Sequence, residues 1–148
     1  MCQKTYKSFG TYALWREKCR SYNRNMIVHN MHIVVLNVYF TPYATFTKTL
    51  HVLSKALCNI HSNQTIVIVG DFNINMLKRN NKTSKLRSYM YNYNLHFILD
   101  TNSNAPTSII YHIWSNITCS YKYFRLYTYW IDHDTISLII NHKNAKEP

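Results

Sequence analysis

Apolar and polar positions alternate along the first half of the chain with a period that changes from strand to helix and back. Residues 26–40 predict two strands hinged near Asn30, and in the second strand every other side chain belongs to the same face. Across residues 45–61, apolar side chains recur at spacings of four and three, which predicts an amphipathic helix. The unbroken apolar run at residues 65–69 predicts a strand covered on both sides. This order indicates an α/β layer.

The second half of the chain predicts one exposed, basic helix over residues 78–94 and three short strands. Turn residues predict a loop over 101–108. No repeat or linker divides the chain, so a single domain is expected over residues 1–148. Residues 1–25 show no clear element, and the tails before about residue 20 and after about residue 141 are expected to fray. The short strands are predicted at 95–100, 109–114 and 135–140, with a tyrosine-rich basic stretch at 121–130 between the last two.

The composition adds a strongly basic charge, with seventeen Lys and Arg against six Asp and Glu and a formal net charge of +11. Such an excess favours a polyanionic partner, nucleic acid first and DNA above all, although compositional drift toward Lys, Asn, Ile and Tyr explains it equally well. Four scattered cysteines and eight scattered histidines lack zinc-site spacing. With no signal peptide, no transmembrane run and no sign of an obligate protein partner, an intracellular protein of nucleus or cytoplasm is expected, without membrane contact.

The segment "IVIVGDFNIN", residues 66–75, places residue types that are rare in this chain at the end of a hydrophobic strand. Gly70 is one of two glycines and Asp71 one of six acidic residues. In an extended segment Asp71 and Asn73 would point the same way, and Gly70 would let the backbone turn or approach a ligand closely. Hydrolysis of a phosphodiester needs oxygen ligands for a hard cation, a group that positions water, and a donor for charge developing on phosphorus. Ordinary turn chemistry is the competing interpretation of the segment.

The order of motifs along the chain favours a functional site over an ordinary turn. "VLNVYFTP", a helix, "IVIVGDFNIN", "PTSIIYHIWSN" and "WIDHDTISLII" together resemble the endonuclease/exonuclease/phosphatase superfamily, most closely the endonuclease domains of retroelements and abasic-site endonucleases. The resemblance covers about residues 26–140, the C-terminal two-thirds of that domain. It implies a two-sheet β-sandwich flanked by helices, a four-layer α/β/β/α fold that is incomplete at its N-terminal side. It also implies cleavage of phosphodiester bonds in nucleic acid with Mg²⁺ or Mn²⁺.

The resemblance implies roles for particular residues. Asp71 matches the aspartate that activates or positions water, and Asn73 the asparagine that helps to orient it. His133 matches the histidine that stabilises the pentacovalent transition state, and Asp132 the aspartate close to metal and phosphate. Asp71 and Asp132 are therefore the implied metal ligands. The implied substrate-binding residues are Asn37 and Tyr39, in the strand motif whose tyrosine contacts the phosphate.

Two departures from the family pattern predict impaired activity. Tyr111 takes the place of the carboxylate that holds the catalytic histidine, and a neutral phenol cannot pair with imidazolium. Loss of such an orienting charge lowers rates by several orders of magnitude. His112, next to it, is expected to be a structural strand residue. The family's early metal-binding glutamate is also expected to be absent, because Glu17 lies in a segment that does not resemble that motif.

Three alternatives to an endonuclease stay open at this stage. The first is a catalytically inactive, basic nucleic-acid-binding remnant, whose alternating aromatic and basic residues over 121–127 would stack on bases and meet phosphates. The same aromatics could simply fill the edge of a core, which is the preferred interpretation of that stretch. The second is a phosphatase acting on a soluble phosphoester. The third is a decayed reading frame that gives no stable protein.

Overall fold

A computed structural model shows the two-sheet α/β arrangement that the resemblance implied. The residues that it describes are 7–16, 19–28, 31–58, 60–61, 63–98, 108–118, 121–126 and 135–140. Within these ranges the chain forms eight strands and two helices. In chain order they are β1 (Lys7–Arg16), β2 (Cys19–Val28), β3 (Met31–Phe40), α1 (Phe46–Leu57), β4 (Thr65–Asp71), α2 (Asn81–Tyr91), β5 (His96–Ile98), β6 (Tyr111–Ser115), β7 (Tyr121–Leu126) and β8 (Thr135–Ile140).

Six strands form the larger sheet, in the order β1-β2-β3-β4-β6-β5, and β7 pairs with β8 in a second sheet. β3 and β4 are parallel, while the other neighbouring pairs are antiparallel. A parallel pair needs a crossover connection, and α1 provides it. The carboxyl ends of β3 and β4 therefore lie at one edge of the sheet, next to the start of the antiparallel β6. We call this edge the site rim.

The two helices cover one face of the larger sheet. The Thr45 side chain accepts a hydrogen bond from the Lys48 backbone at the start of α1, and Asn80 and Thr83 form a reciprocal capping box at the start of α2. Apolar side chains of both helices pack onto the sheet around Trp114, which is fully buried. The helical residues buried in this core are Val52, Leu53, Leu57, Leu86 and Met90.

The opposite face of the larger sheet packs against β7 and β8. Ile33, Val67, Ile98 and Ile113 are buried there, and Tyr123, Ile136, Leu138 and Ile140 of the second sheet contact them. The described residues thus form three layers, one of helices and two of sheet. The implied second layer of helices is not formed by this part of the chain. Neither described helix has the length and apolar character that crossing a membrane would require.

The sequence predictions for the N-terminal region were wrong, whereas those for the central elements were confirmed. Residues 7–16 and 19–25 form paired strands where no element was expected and where the first residues were expected to fray. Their polar sequence shows no strand periodicity. β2 pairs with β3, and β1 pairs with β2, so hydrogen bonding within the sheet stabilises strands that their intrinsic propensity does not favour. The end of β2 at Val28 and the whole of β3 agree with the two strands predicted over residues 26–40. α1 and β4 lie where periodicity placed them, and α2 is shorter than predicted. The loop at 101–107 and the tail after 141 lie outside the described residues.

Candidate active site at the sheet rim

Three side chains form a row across the site rim. In the strand registers Tyr39 lies opposite Asp71, and Asp71 lies opposite Tyr111. Alternation along the strands places all three on the face that carries the second sheet. Tyr39 is 44% exposed, while Asp71 and Tyr111 are half-buried. The expected partner of Tyr111 was a distant histidine, but the pairing of β4 with β6 sets it directly beside Asp71. No sequence signal reveals that register.

A hydrogen-bonded turn fixes the Asp71 carboxylate. The backbone N–H of Asn73 donates to Asp71 Oδ1 at 2.9 Å. Asn73 has a φ of 50°, in the left-handed region that asparagine tolerates, so the segment is not extended as expected. Its side-chain Nδ2 donates to the Phe40 carbonyl oxygen at 2.6 Å and ties the turn to the end of β3. Ordinary turn chemistry therefore applies to this motif, and the turn presents the Asp71 carboxylate at the site rim. Its role as a functional site stays a prediction.

Gly70 has a steric role in the larger sheet. Its φ is 145°, and an added Cβ would lie 1.9 Å from the Val38 carbonyl oxygen of the neighbouring strand. A side chain at this position is incompatible with the pairing of β3 and β4. The glycine thus allows the close strand approach that brings Asp71 opposite Tyr39.

Of the remaining predicted site residues, the structure describes only Asn37. Asn37 is exposed on β3, lies opposite Val69, and belongs to the same face as Tyr39 two residues further along. The two predicted phosphate-binding residues therefore lie on the face of Asp71. Asp132 and His133 lie outside the described residues, so their convergence on Asp71 stays a prediction.

His112 supports the site from the helical face of the sheet. It is fully buried and stacks on Phe72, with the ring centroids 4.4 Å apart. Its Nε2–H donates to the Ile74 carbonyl oxygen at 2.8 Å, and Nδ1 accepts the indole N–H of Trp114 at 3.4 Å. Burial lowers the pKa of His112 from 6.5 to about 4, so the ring is neutral at pH 7. It is a structural strand residue, as expected, and it anchors the segment that contains Asn73.

The described residues contain one carboxylate, that of Asp71. Within these ranges no three His, Cys, Asp or Glu side chains lie close enough to hold a metal ion. Mg²⁺ in proteins is commonly held by one or two carboxylates together with water and substrate phosphates. A single rim carboxylate fits that mode of binding, in which the substrate itself completes the coordination, and it does not fit a closed structural metal site.

Similar proteins are found by fold and not by sequence. No protein-family model and no curated protein matches the chain. The endonuclease domain of TRAS1, a telomere-specific non-LTR retrotransposon, has a TM-score of 0.69 at 11% identity, over 90% of this chain and 70% of that one. An endonuclease/exonuclease/phosphatase family protein from Leptotrichia buccalis has 0.63 at 11%, over 94% and 62%. A humanized D. rerio TDP2 has 0.57 at 9%, over 93% and 66%.

These similarities confirm, at the level of the fold, the resemblance to the endonuclease/exonuclease/phosphatase superfamily that the motif order indicated. The chain spans 62% to 70% of the length of these three structures. Identities of 9% to 11% carry the fold alone. What the chain does must therefore be argued from its own residues.

Proposed function

We propose that the protein is a metal-dependent phosphodiester hydrolase that acts on nucleic acid, an endonuclease of the mobile-element type. The observation that carries the proposal is the position of Asp71. It lies at the site rim between two tyrosines, in a fold similar to that of a retrotransposon endonuclease domain. The formal charge of +11 supports a polyanionic substrate, because it raises the local concentration of nucleic acid and speeds encounter.

In the proposed reaction Asp71 positions the attacking water and accepts its proton. The Asn73 N–H holds one carboxylate oxygen, so the orientation of Asp71 is set before substrate arrives. Asn37 and Tyr39 contact the phosphate from β3, and His133 donates to the charge that develops on phosphorus. Asp71 and Asp132 would hold Mg²⁺ or Mn²⁺, which supplies charge neutralisation at the phosphate when it is bound.

We expect the activity to be weak. Tyr111 offers a phenol where the family carboxylate would orient the catalytic histidine, and a neutral group stabilises imidazolium less than a carboxylate does. The register gives this substitution a second consequence, because a carboxylate at position 111 would lie beside Asp71 and share its cation. Tyr111 therefore lowers both the orienting charge and the metal affinity that the rim can provide.

The experiment is nicking of supercoiled plasmid DNA by the purified chain with Mg²⁺ or Mn²⁺. Asp71→Asn is the informative variant, because asparagine keeps the size and still accepts the Asn73 N–H, while it cannot accept a proton from water. We expect slow nicking that EDTA abolishes and that Asp71→Asn reduces by at least ~100-fold. Matching thermal unfolding of the two proteins excludes a folding defect. Absence of nicking with both metals would contradict the proposal, and turnover of a soluble phosphoester alone would assign a phosphatase.

The inactive nucleic-acid-binding remnant is the second candidate, and the fold comparisons do not favour it. The aromatic stretch divides between the two faces of β7. Tyr123 packs into the core between the sheets, whereas Phe124 is 42% exposed. Because alternate side chains face inward, the stretch cannot present every aromatic residue to bases at once.

A further inference from the structure

A pocket of about 260 Å³ opens on the helical side of the site rim. The turn after β3, the segment that follows Asp71 and the start of α2 enclose it. We call it the lysine pocket. The polar side chains that line it include, besides two threonines, Asn73, Asn75, Lys78, Asn80 and Lys82. The proposed function makes no use of the last four.

Backbone hydrogen bonds fix the direction of two amide side chains in this pocket. Asn75 Oδ1 accepts the N–H groups of Leu77 at 3.0 Å and Ile109 at 3.1 Å. Asn80 Oδ1 accepts the N–H of Thr83 at 3.1 Å, in the α2 capping box. With both oxygens committed to the backbone, the NH₂ groups of Asn75 and Asn80 are the ends left for another partner.

The charge of the pocket is positive. Lys78 and Lys82 are exposed at its mouth, and among the described residues no carboxylate lines it. Two ammonium groups and two amide NH₂ groups make an array of hydrogen-bond donors. Such an array suits an oxyanion, since charge-assisted hydrogen bonds to a phosphate are the stronger kind.

We infer that the lysine pocket binds a phosphate group. Its wall includes Asn73, whose N–H is bonded to Asp71, so the pocket adjoins the proposed site of cleavage. The identity of the ligand rests on the proposed function: it is a backbone phosphate of the nucleic-acid strand that is cleaved, adjacent to the phosphate at which cleavage takes place. Free inorganic phosphate offers the same chemistry, and the experiment separates the two sources.

The test measures DNA affinity by fluorescence anisotropy in EDTA, as a function of salt, for three variants that each lower the net charge by one. Asn80→Asp keeps the acceptor for the Thr83 N–H and a residue suited to a helix N-cap, but it puts a carboxylate in the pocket. Lys82→Gln removes a cation from the pocket. Lys55→Gln, exposed on α1 and away from the pocket, is the matched control. Thermal unfolding is measured for each.

We expect Asn80→Asp and Lys82→Gln to weaken binding several-fold more than Lys55→Gln, uniformly across sequences. For both variants, the slope of the logarithm of the DNA-binding constant against the logarithm of the salt concentration should become less negative by about one. Asn80→Asp should do so with its thermal stability retained or raised, because an aspartate also suits the start of a helix. Equal effects of all three variants would overturn the inference.

Inorganic phosphate provides the second arm. Because it binds only the folded state, it should raise the melting temperature of the wild type above that in chloride of equal ionic strength, and not that of Asn80→Asp. Stabilisation by phosphate without any loss of DNA affinity in the pocket variants would overturn the assignment to a nucleic-acid strand. Since these assays need no cleavage, a failure to nick DNA would contradict the proposed function without contradicting the binding of a phosphate in the lysine pocket.

Discussion

At the scale of single residues, the row of Tyr39, Asp71 and Tyr111 determines what the rim can hold. The sequence already singled out Asp71, because a scarce carboxylate at the end of a buried strand is unusual in so basic a chain. The resemblance also implied Tyr39 as a site residue. That Tyr39 and Tyr111 lie directly opposite Asp71 could not be inferred, since it depends on how β4 pairs with β3 and β6. The turn that holds the carboxylate depends in turn on a left-handed φ at Asn73.

Tyr111→Asp tests the chemistry of this row. A second carboxylate beside Asp71 adds an oxygen ligand and a negative charge, so the Mg²⁺ concentration that half-saturates nicking should fall by about tenfold and the rate should rise. Tyr111→Asn is the matched control, because asparagine has nearly the same size as aspartate and also offers an oxygen ligand but carries no charge. Nicking is titrated with Mg²⁺ for both variants. If the two variants titrate alike, the charge at position 111 was never the defect.

At the scale of elements, the central strand–helix–strand unit is the part that sequence predicts best. Its apolar periods are long. Leu53 and Leu57 of α1 are buried as these periods predict, Phe46 and Leu50 are partly buried, and residues 66–68 of β4 are buried. β1 and the first part of β2 could not be predicted, because strand pairing, which no local pattern encodes, holds their polar residues in the sheet. The lysine pocket escapes for a related reason. It forms only where the ends of three elements meet, and its residues are ordinary loop asparagines and lysines in the sequence.

Gly70→Ala tests the pairing of β3 with β4. An alanine Cβ would meet the Val38 carbonyl 1.9 Å away, in a backbone conformation that L side chains rarely adopt, so the strands would have to separate. We expect a loss of about 3 kcal/mol or more in the free energy of unfolding, measured in urea. Ser84→Ala, exposed on α2, should change it by less than about 0.5 kcal/mol. A loss below about 1 kcal/mol at Gly70 would show that the close approach is not required.

At the scale of the whole molecule, the site rim depends on both cores. The helical core holds the turn of Asn73 through His112 and Phe72, and the core between the sheets supports the face of Asp71. The geometry of the site rim and the global stability of the chain are therefore linked through one buried, neutral histidine. Motif order predicted the fold, and the sequence already indicated that His112 is a structural strand residue. Its contacts with Phe72, Ile74 and Trp114 depend on strand pairing that no local pattern reveals.

This linkage predicts a dependence of stability on pH. The pKa of His112 is about 4 in the folded chain and 6.5 without burial, so below pH 6.5 the unfolded state binds a proton that the folded state does not. The stabilisation is complete above pH 6.5 and is lost progressively down to pH 4, by roughly 3 kcal/mol. Urea unfolding at pH 7 and pH 4.5 measures it.

Two variants assign the effect to this ring. His112→Gln keeps a donor for the Ile74 carbonyl oxygen without a group that titrates in this range, so it should be less stable at pH 7 but lose less stability on acidification. His51→Asn, on the exposed side of α1, should follow the wild type at both pH values. Acid unfolding that is the same in all three proteins would assign the pH dependence to other groups, and His112 would then have no part in holding the rim segment at low pH.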